Sequence, residues 1–351
     1  MRVGLLRIVT PIVLLTLLGI GGCAATAPDE APPVELTRVW PDPPEPSRIR
    51  FLQTFSGPQD LEIKNRWWHK VIAFLVGSPT LNIVQPYGLA KDTQERIYVV
   101  DTFYRGVHVF DSRESDHYIF PTKPVPDFVN PIEVATGPAG RVFVSDSQSG
   151  LVHVFSEAGK RYESSFGRGE LQRPTGLAVD VGSGELLVVD TLLSQLLVYG
   201  LDDLKLRRRI GRNGDDAESF HFPTHVAIAA DGAIYVTDSL NFRVQRLNAD
   251  KTFIGPFGSI GRVPGTFSRP KGLATDSEGH VYVVDALFDN VQVFDTAGQL
   301  LLAFGTSGNT IGDFWLPSGI YIDSRDRIYV SDTYNHRVQV FQYIRNEVAH
   351  P

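Results

Sequence analysis

Apolar and polar residues alternate at every second position through most of the chain, in short runs such as Arg337-Val338-Gln339-Val340-Phe341. A period of two puts successive side chains on opposite faces of an extended strand. Tight polar turns (Asp231-Gly232, Glu278-Gly279, Pro138-Ala139-Gly140) separate the runs, and no helical period competes with them. The runs recur as a unit. Each copy opens at a proline: Pro86, Pro131, Pro174, Pro223, Pro270 and Pro317. A first strand and a turn lead to a second strand ending in aspartate, at Asp101, Asp146, Asp190, Asp238, Asp285 and Asp332. A third strand follows, and a fourth ends near a Phe-Gly pair such as Phe166-Gly167 or Phe304-Gly305. The prolines stand 45, 43, 49, 47 and 47 residues apart, the period of a four-stranded antiparallel blade.

The pattern therefore predicts an all-β fold, a six-bladed β-propeller over residues 48–345. The sixth copy runs out after its third strand at Phe341, while residues 48–57 read as an orphan fourth strand with Phe55 and Gly57 near its end. An N-terminal strand that completes the last blade removes both exposed edges. One connection is longer than the others. Between Gly57 and Pro86, apolar residues at 67, 68, 71, 72, 74 and 75 predict a short amphipathic helix over about 62–77, stopped by Gly77 and Pro79. Packing on the ring is the expected use of its Trp67 and Trp68; a lid over the channel and a membrane-surface contact stay open as alternatives.

Six copies with Asp332-Thr333-Tyr334-Asn335-His336-Arg337-Val338-Gln339 and Asp238-Ser239-Leu240-Asn241-Phe242-Arg243-Val244-Gln245 resemble NHL repeats, over roughly residues 48–343. The resemblance implies the propeller and, among its relatives, protein or nucleic-acid ligands. It does not name an activity, because this fold hosts many.

The N-terminus reads differently. Arg2 and Arg7 precede an apolar stretch at residues 8–20, too short to span a bilayer, which ends in Ile20-Gly21-Gly22-Cys23. That string resembles a bacterial lipobox, which implies a signal peptide over 1–22 and a palmitate-type acyl anchor on Cys23, the one cysteine of the chain. Residues 23–47 carry seven prolines and few apolar residues, the composition of an extended tether. By analogy with Gram-negative sorting, Ala24 favours the outer membrane if the source has one. The expected location is extracytoplasmic. The formal charge of −7 repels phosphate backbones and argues against nucleic acid. The one basic run, Arg207-Arg208-Arg209, falls in a strand pattern and reads as a solvated edge.

In a four-stranded meander the b–c turns share one face with the d-to-a crossings, and first strands line the axis. The aspartates that head the b–c turns are read as structural, since Asp satisfies nearby turn amides. Arg105, Arg243 and Arg337 are read as their partners within a blade, and His108 and His153 as variants of the third-strand glutamine. Where four copies have glycine after the proline, two carry Glu133 and His225, a candidate channel pair for a metal or a substrate. A hydrogen-bonded polar pair is the favoured reading, since two ligands are too few for a catalytic zinc site. The b–c turns are apolar for a solvent-facing loop: Phe103, Tyr104, Leu193, Leu240, Phe242, Phe288 and Tyr334, with Trp67 and Trp68 from the crossing, form a candidate binding face. About half of these side chains are expected to fold back over the blade edge. The leading expectation is an extracytoplasmic, lipid-anchored binding or scaffold module without a cofactor, docking an envelope or secreted protein, with a glycan second. The alternative is a metal-assisted lyase or hydrolase in the channel.

Overall fold

The computed structural model describes residues 38–63 and 81–345. The lipobox with Cys23, Trp67, Trp68 and the body of the expected helix lie outside the described residues. Six antiparallel sheets follow one another in chain order: residues 86–120, 131–166, 174–210, 223–257, 270–304 and a last blade built from both ends of the domain. First strands neighbour one another around a central axis, and chain order runs outward from first strand to fourth. Outside the strands, the regular structure among the described residues consists of short 3₁₀ turns. No helix among them is long and apolar enough to cross a membrane.

The core is divided. Each of six buried apolar clusters lies at one blade junction, such as Tyr98, Val100, Val142, Val144 and Phe155 between blades 1 and 2. The sixth junction, between blades 6 and 1, is packed like the rest by Leu89, Val99, Phe110, Tyr329 and Val338. Alternation explains this: one side chain of each pair faces the preceding blade and the next faces the following one. Strand β2 (Ile49–Phe55) pairs with Arg337–Tyr343 from Ile49↔Tyr343 to Phe55↔Val338, so the N-terminal strand completes blade 6 and closes the ring.

The stretch read as tether contributes to the fold from residue 38 onward. A two-residue strand β1 (Val39–Trp40) pairs with β2 and adds a fifth strand to blade 6. Trp40 is buried against Phe304 and Phe341, at centroid distances of 5.7 Å each. Arg38 donates to the Asp313 carboxylate at 2.8 Å and lies 5.1 Å over the Trp40 ring. Prolines 41, 43, 44 and 46 then end the strand, which suits a sheet edge. Proline content hid the two apolar residues that matter.

All six repeat aspartates are fully buried and act as staples. Asp285 accepts from the amides of Ser268 and Arg269, in the incoming crossing, and of Leu287 and Phe288, in the b–c turn, at 2.7–3.3 Å. Asp101, Asp146 and Asp190 repeat that pattern. In blades 4 and 6 the carboxylate also takes Arg243 Nε at 2.8 Å and Arg337 Nε at 2.7 Å. Arg105 departs from the expected role. It stands four residues after its aspartate rather than five, is exposed, and has φ of 52°. That position is left-handed in every blade (Arg105, Gly150, Ser194, Phe242, Asp289, His336), because the turn must reverse there.

Candidate functional site: the loop face and the axis

In blades 1 to 5 the opening proline pairs with the blade's aspartate, as in Pro86↔Asp101 and Pro270↔Asp285, so b–c turns and crossings emerge together. The turns sort their side chains by position. Two residues after the aspartate the side chain points to solvent: Phe103, Leu192, Leu240, Leu287 and Tyr334 are 63, 49, 42, 54 and 47% exposed. Three residues after it, Tyr104, Leu193 and Phe288 are half-buried, and Phe242 turns back in the same way. Leu193 packs against the junction of blades 2 and 3, and Phe242 against that of blades 4 and 5. Tyr104 leans on Phe103 and His108, at 5.2 and 5.6 Å. Half of the expected rim thus belongs to the blades.

The crossings supply replacements that were not read from the sequence. Trp315 is 51% exposed and its ring lies 5.6 Å from Tyr334, while Phe222, Ile260 and Val263 are exposed on other crossings. Of the fourteen exposed large hydrophobic residues among those described, ten stand in b–c turns or crossings, so the apolar surface is concentrated there.

On the axis, the structure brings Glu133 and His225 together. His225 Nε2 lies 3.3 Å from the Glu133 carboxylate, and both side chains are buried. They occupy the level where the other blades have glycine, and the glycines are needed there. A Cβ on Gly88 would lie 2.6 Å from the carbonyl oxygen of Ile132, and one on Gly176 2.6 Å from the Cα of His225. Glu133 Oε1 also accepts the Val134 amide at 3.1 Å, whereas both ring nitrogens of His225 lack a well-formed hydrogen bond. Tyr87 covers the pair from the loop side, its ring stacked on that of His225 at 6.4 Å. Burial and the nearby Glu133 carboxylate push the Tyr87 phenol up to about 12, so it stays a neutral donor. On the far side, Glu133 and His225 floor a cavity of about 290 Å³ whose walls include Leu89, Val134, Leu177 and Leu273. Among the described residues no three His, Cys, Asp or Glu side chains converge as a metal would require.

His108 and His153 are fully buried on third strands. At the same position Gln245, Gln292 and Gln339 donate to carbonyls of the preceding crossing. His108 instead bridges Asp101, at 3.4 Å from Nε2, and His117, at 3.0 Å from Nδ1. Burial and the adjacent His108 lower the His117 imidazole to about 4.

Residues 314–341 match the NHL repeat family. No curated protein matches the chain. Among solved structures, virginiamycin B lyase from Staphylococcus aureus is 14% identical at a TM-score of 0.56, covering 75% of this chain and 98% of that one. An auxiliary nutrient binding protein from Bacteroides thetaiotaomicron is 15% identical at a TM-score of 0.58, covering 75% of this chain and 70% of that one. A chain of a nidogen/laminin complex is 17% identical at a TM-score of 0.51, over 62% of this chain and 79% of its own. At such identities the likeness concerns the fold, which a lyase and binding proteins share. The protein is a six-bladed β-propeller whose last blade matches the NHL repeat.

Proposed function

We propose that this propeller is a binding module whose loop face docks an extracytoplasmic protein, held at a membrane by an acylated Cys23. The observation that supports it most is the concentration of exposed apolar side chains on b–c turns and crossings, with staples beneath that hold the turns rigid. Preorganised apolar loops on a rigid scaffold lose little entropy on binding. Binding roles among structural neighbours, a nutrient-binding protein and a nidogen/laminin complex, agree with this reading without naming a partner. A glycan is the second candidate ligand. The test is in-cell crosslinking and capture of the tagged protein beside a variant with Phe103, Leu192 and Leu287 changed to Ser. The reading expects a partner enriched by the parent and lost with the folded variant; equal captures overturn it.

A channel enzyme is the second reading, favoured by one observation: Glu133 and His225 meet at 3.3 Å at the floor of a cavity. Elemental analysis of the purified domain decides it. A stoichiometric metal lost in both Glu133→Ala and His225→Ala would place chemistry in the channel.

A further inference from the structure

The mouth of the axis on the loop face is a separate cavity of about 360 Å³. Its charge is unexpected for a chain of net charge −7. Arg173 and Arg269 stand immediately before the opening prolines of blades 3 and 5, and Lys271 immediately after that of blade 5. All three line the cavity, and none has a carboxylate within ion-pair distance among the described residues. Most other cations of the ring are paired: Arg243 and Arg337 with staples, Lys91 with Asp323 and Lys251 with Glu185. The Lys271 ammonium lies 5.3 Å over the Tyr87 ring, which holds it at the cavity floor. Burial and the Arg269 charge lower it to about 8, the mark of a cation that lacks a counter-ion.

The neutral groups of the cavity are already in use. The Thr191 hydroxyl donates to the Pro223 carbonyl and the Ser239 hydroxyl to the Pro270 carbonyl, each at 2.7 Å. They link neighbouring blades and offer no donor to a ligand. The Ser147, Thr175 and Thr224 hydroxyls likewise donate to carbonyls, at 3.4–3.5 Å, which leaves the three cations as the donors for a ligand, walled by Phe222 and Leu240.

We propose that this mouth is a carboxylate subsite: it takes an acidic side chain or a C-terminal carboxylate of the protein segment that docks on the surrounding apolar face. The inference rests on the docking role proposed above. Arginine forks suit the planar carboxylate, and charge-assisted bonds are the strong ones in such a site. A volume at the small end of ligand pockets, about 300–1,000 Å³, fits one or two residues and not a length of polymer. An acidic molecule with one positive mouth also steers a carboxylate toward the axis and away from the rest of its surface.

The probes are three pools of N-acetylated tripeptides with random flanking residues: central Glu with an amidated end, central Gln with an amidated end, and central Gln with a free C-terminal carboxylate. Retention on the immobilised propeller is read by mass spectrometry. Both carboxylate pools are expected to be retained about tenfold or more above the neutral pool, and the ratio between them tells side chain from terminus. A triple variant, Arg173→Gln, Arg269→Gln and Lys271→Gln, is expected to abolish that difference with an unchanged melting temperature. Double variants that keep Lys271 serve if the triple one unfolds. Equal retention of all pools, or a difference that survives the variants, overturns the subsite. Displacement by inorganic phosphate at lower concentration than by acetate overturns the carboxylate assignment. The face itself is tested apart, by partner capture with the Phe103, Leu192 and Leu287 variant. A failed pool experiment beside rim-dependent capture removes the subsite and leaves the docking face.

Discussion

Trp315 and Tyr334 reach the loop face from different connections of blade 6, and their rings meet at 5.6 Å with about half of each exposed. Such a pair has no packing duty inside the domain. Trp315→Ser is expected to change unfolding free energy by no more than about 0.5 kcal/mol, as for surface positions generally. Leu193→Asp, one position deeper in its own turn, is expected to cost about 2 kcal/mol or more because it puts a charge against the core between blades 2 and 3. Urea unfolding of both variants checks the division between rim and blade.

The staples predict a local lesion. Asp285→Ala leaves four amides without their acceptor, two in the crossing and two in the turn. A loss of about 2–4 kcal/mol follows, since buried donors left unpaired carry the full desolvation cost. Hydrogen exchange should rise first at Ser268, Arg269, Leu287 and Phe288. Exchange that rises evenly over all blades would show that the aspartate acts otherwise.

Acid sensitivity is expected in blade 1. The His117 imidazole is lowered to about 4 from an ordinary 6.5, so the folded form holds it neutral where the unfolded chain would protonate it. A depressed folded pKa means that the stabilisation is complete above pH 6.5 and is lost as the pH falls toward 4. Its size is at most about 3 kcal/mol. His117→Gln should reduce the loss of stability between pH 6.5 and 4, measured by chemical denaturation at each pH, and leave the part due to His153, which burial lowers in the same direction. His280 has the opposite sign. Its hydrogen bond to Asp276 raises its pKa, so its contribution is present at low pH and fades as the pH rises through the raised value.

Trp40 tests where the folded domain begins. Trp40→Ala is expected to cost about 3 kcal/mol, the usual loss for a large buried aromatic. A tether residue would cost nothing, and thermal unfolding of the single variant separates the two cases.

The ring was readable because its signal is repeated. Six prolines and six aspartates at one period fix blades, turns and face, and the orphan strand at residues 48–57 fixes closure. Side-chain direction within a turn was harder to read: Leu192 and Leu193 are the same residue type in adjacent positions, and the left-handed residue that follows decides which one is exposed. Glu133 and His225 were legible as breaks in a glycine column. Arg173, Arg269 and Lys271 were not, because about a hundred residues separate the first from the other two, and the one contiguous basic run is Arg207-Arg208-Arg209. Those three arginines spread over a strand edge, with partners in Asp203, the Asp250 carbonyl and the Glu170 carbonyl. The charges that do converge are two blades apart in sequence, and only the closure of the ring brings them to one mouth.

Closure also has an order in time. Thr54 donates its hydroxyl to the carbonyl of Val338, 284 residues later, and lies in the strand that completes the sixth blade. On a ribosome, that strand emerges before any blade and must wait, unpaired, for the last blade's third strand. A chain cut short by as little as its final strand keeps five whole blades yet leaves two open edges, one at each end. The seam therefore works as a check on completeness: only a chain translated to its final strand can hide its edges, and a fragment is marked by the edges that it shows.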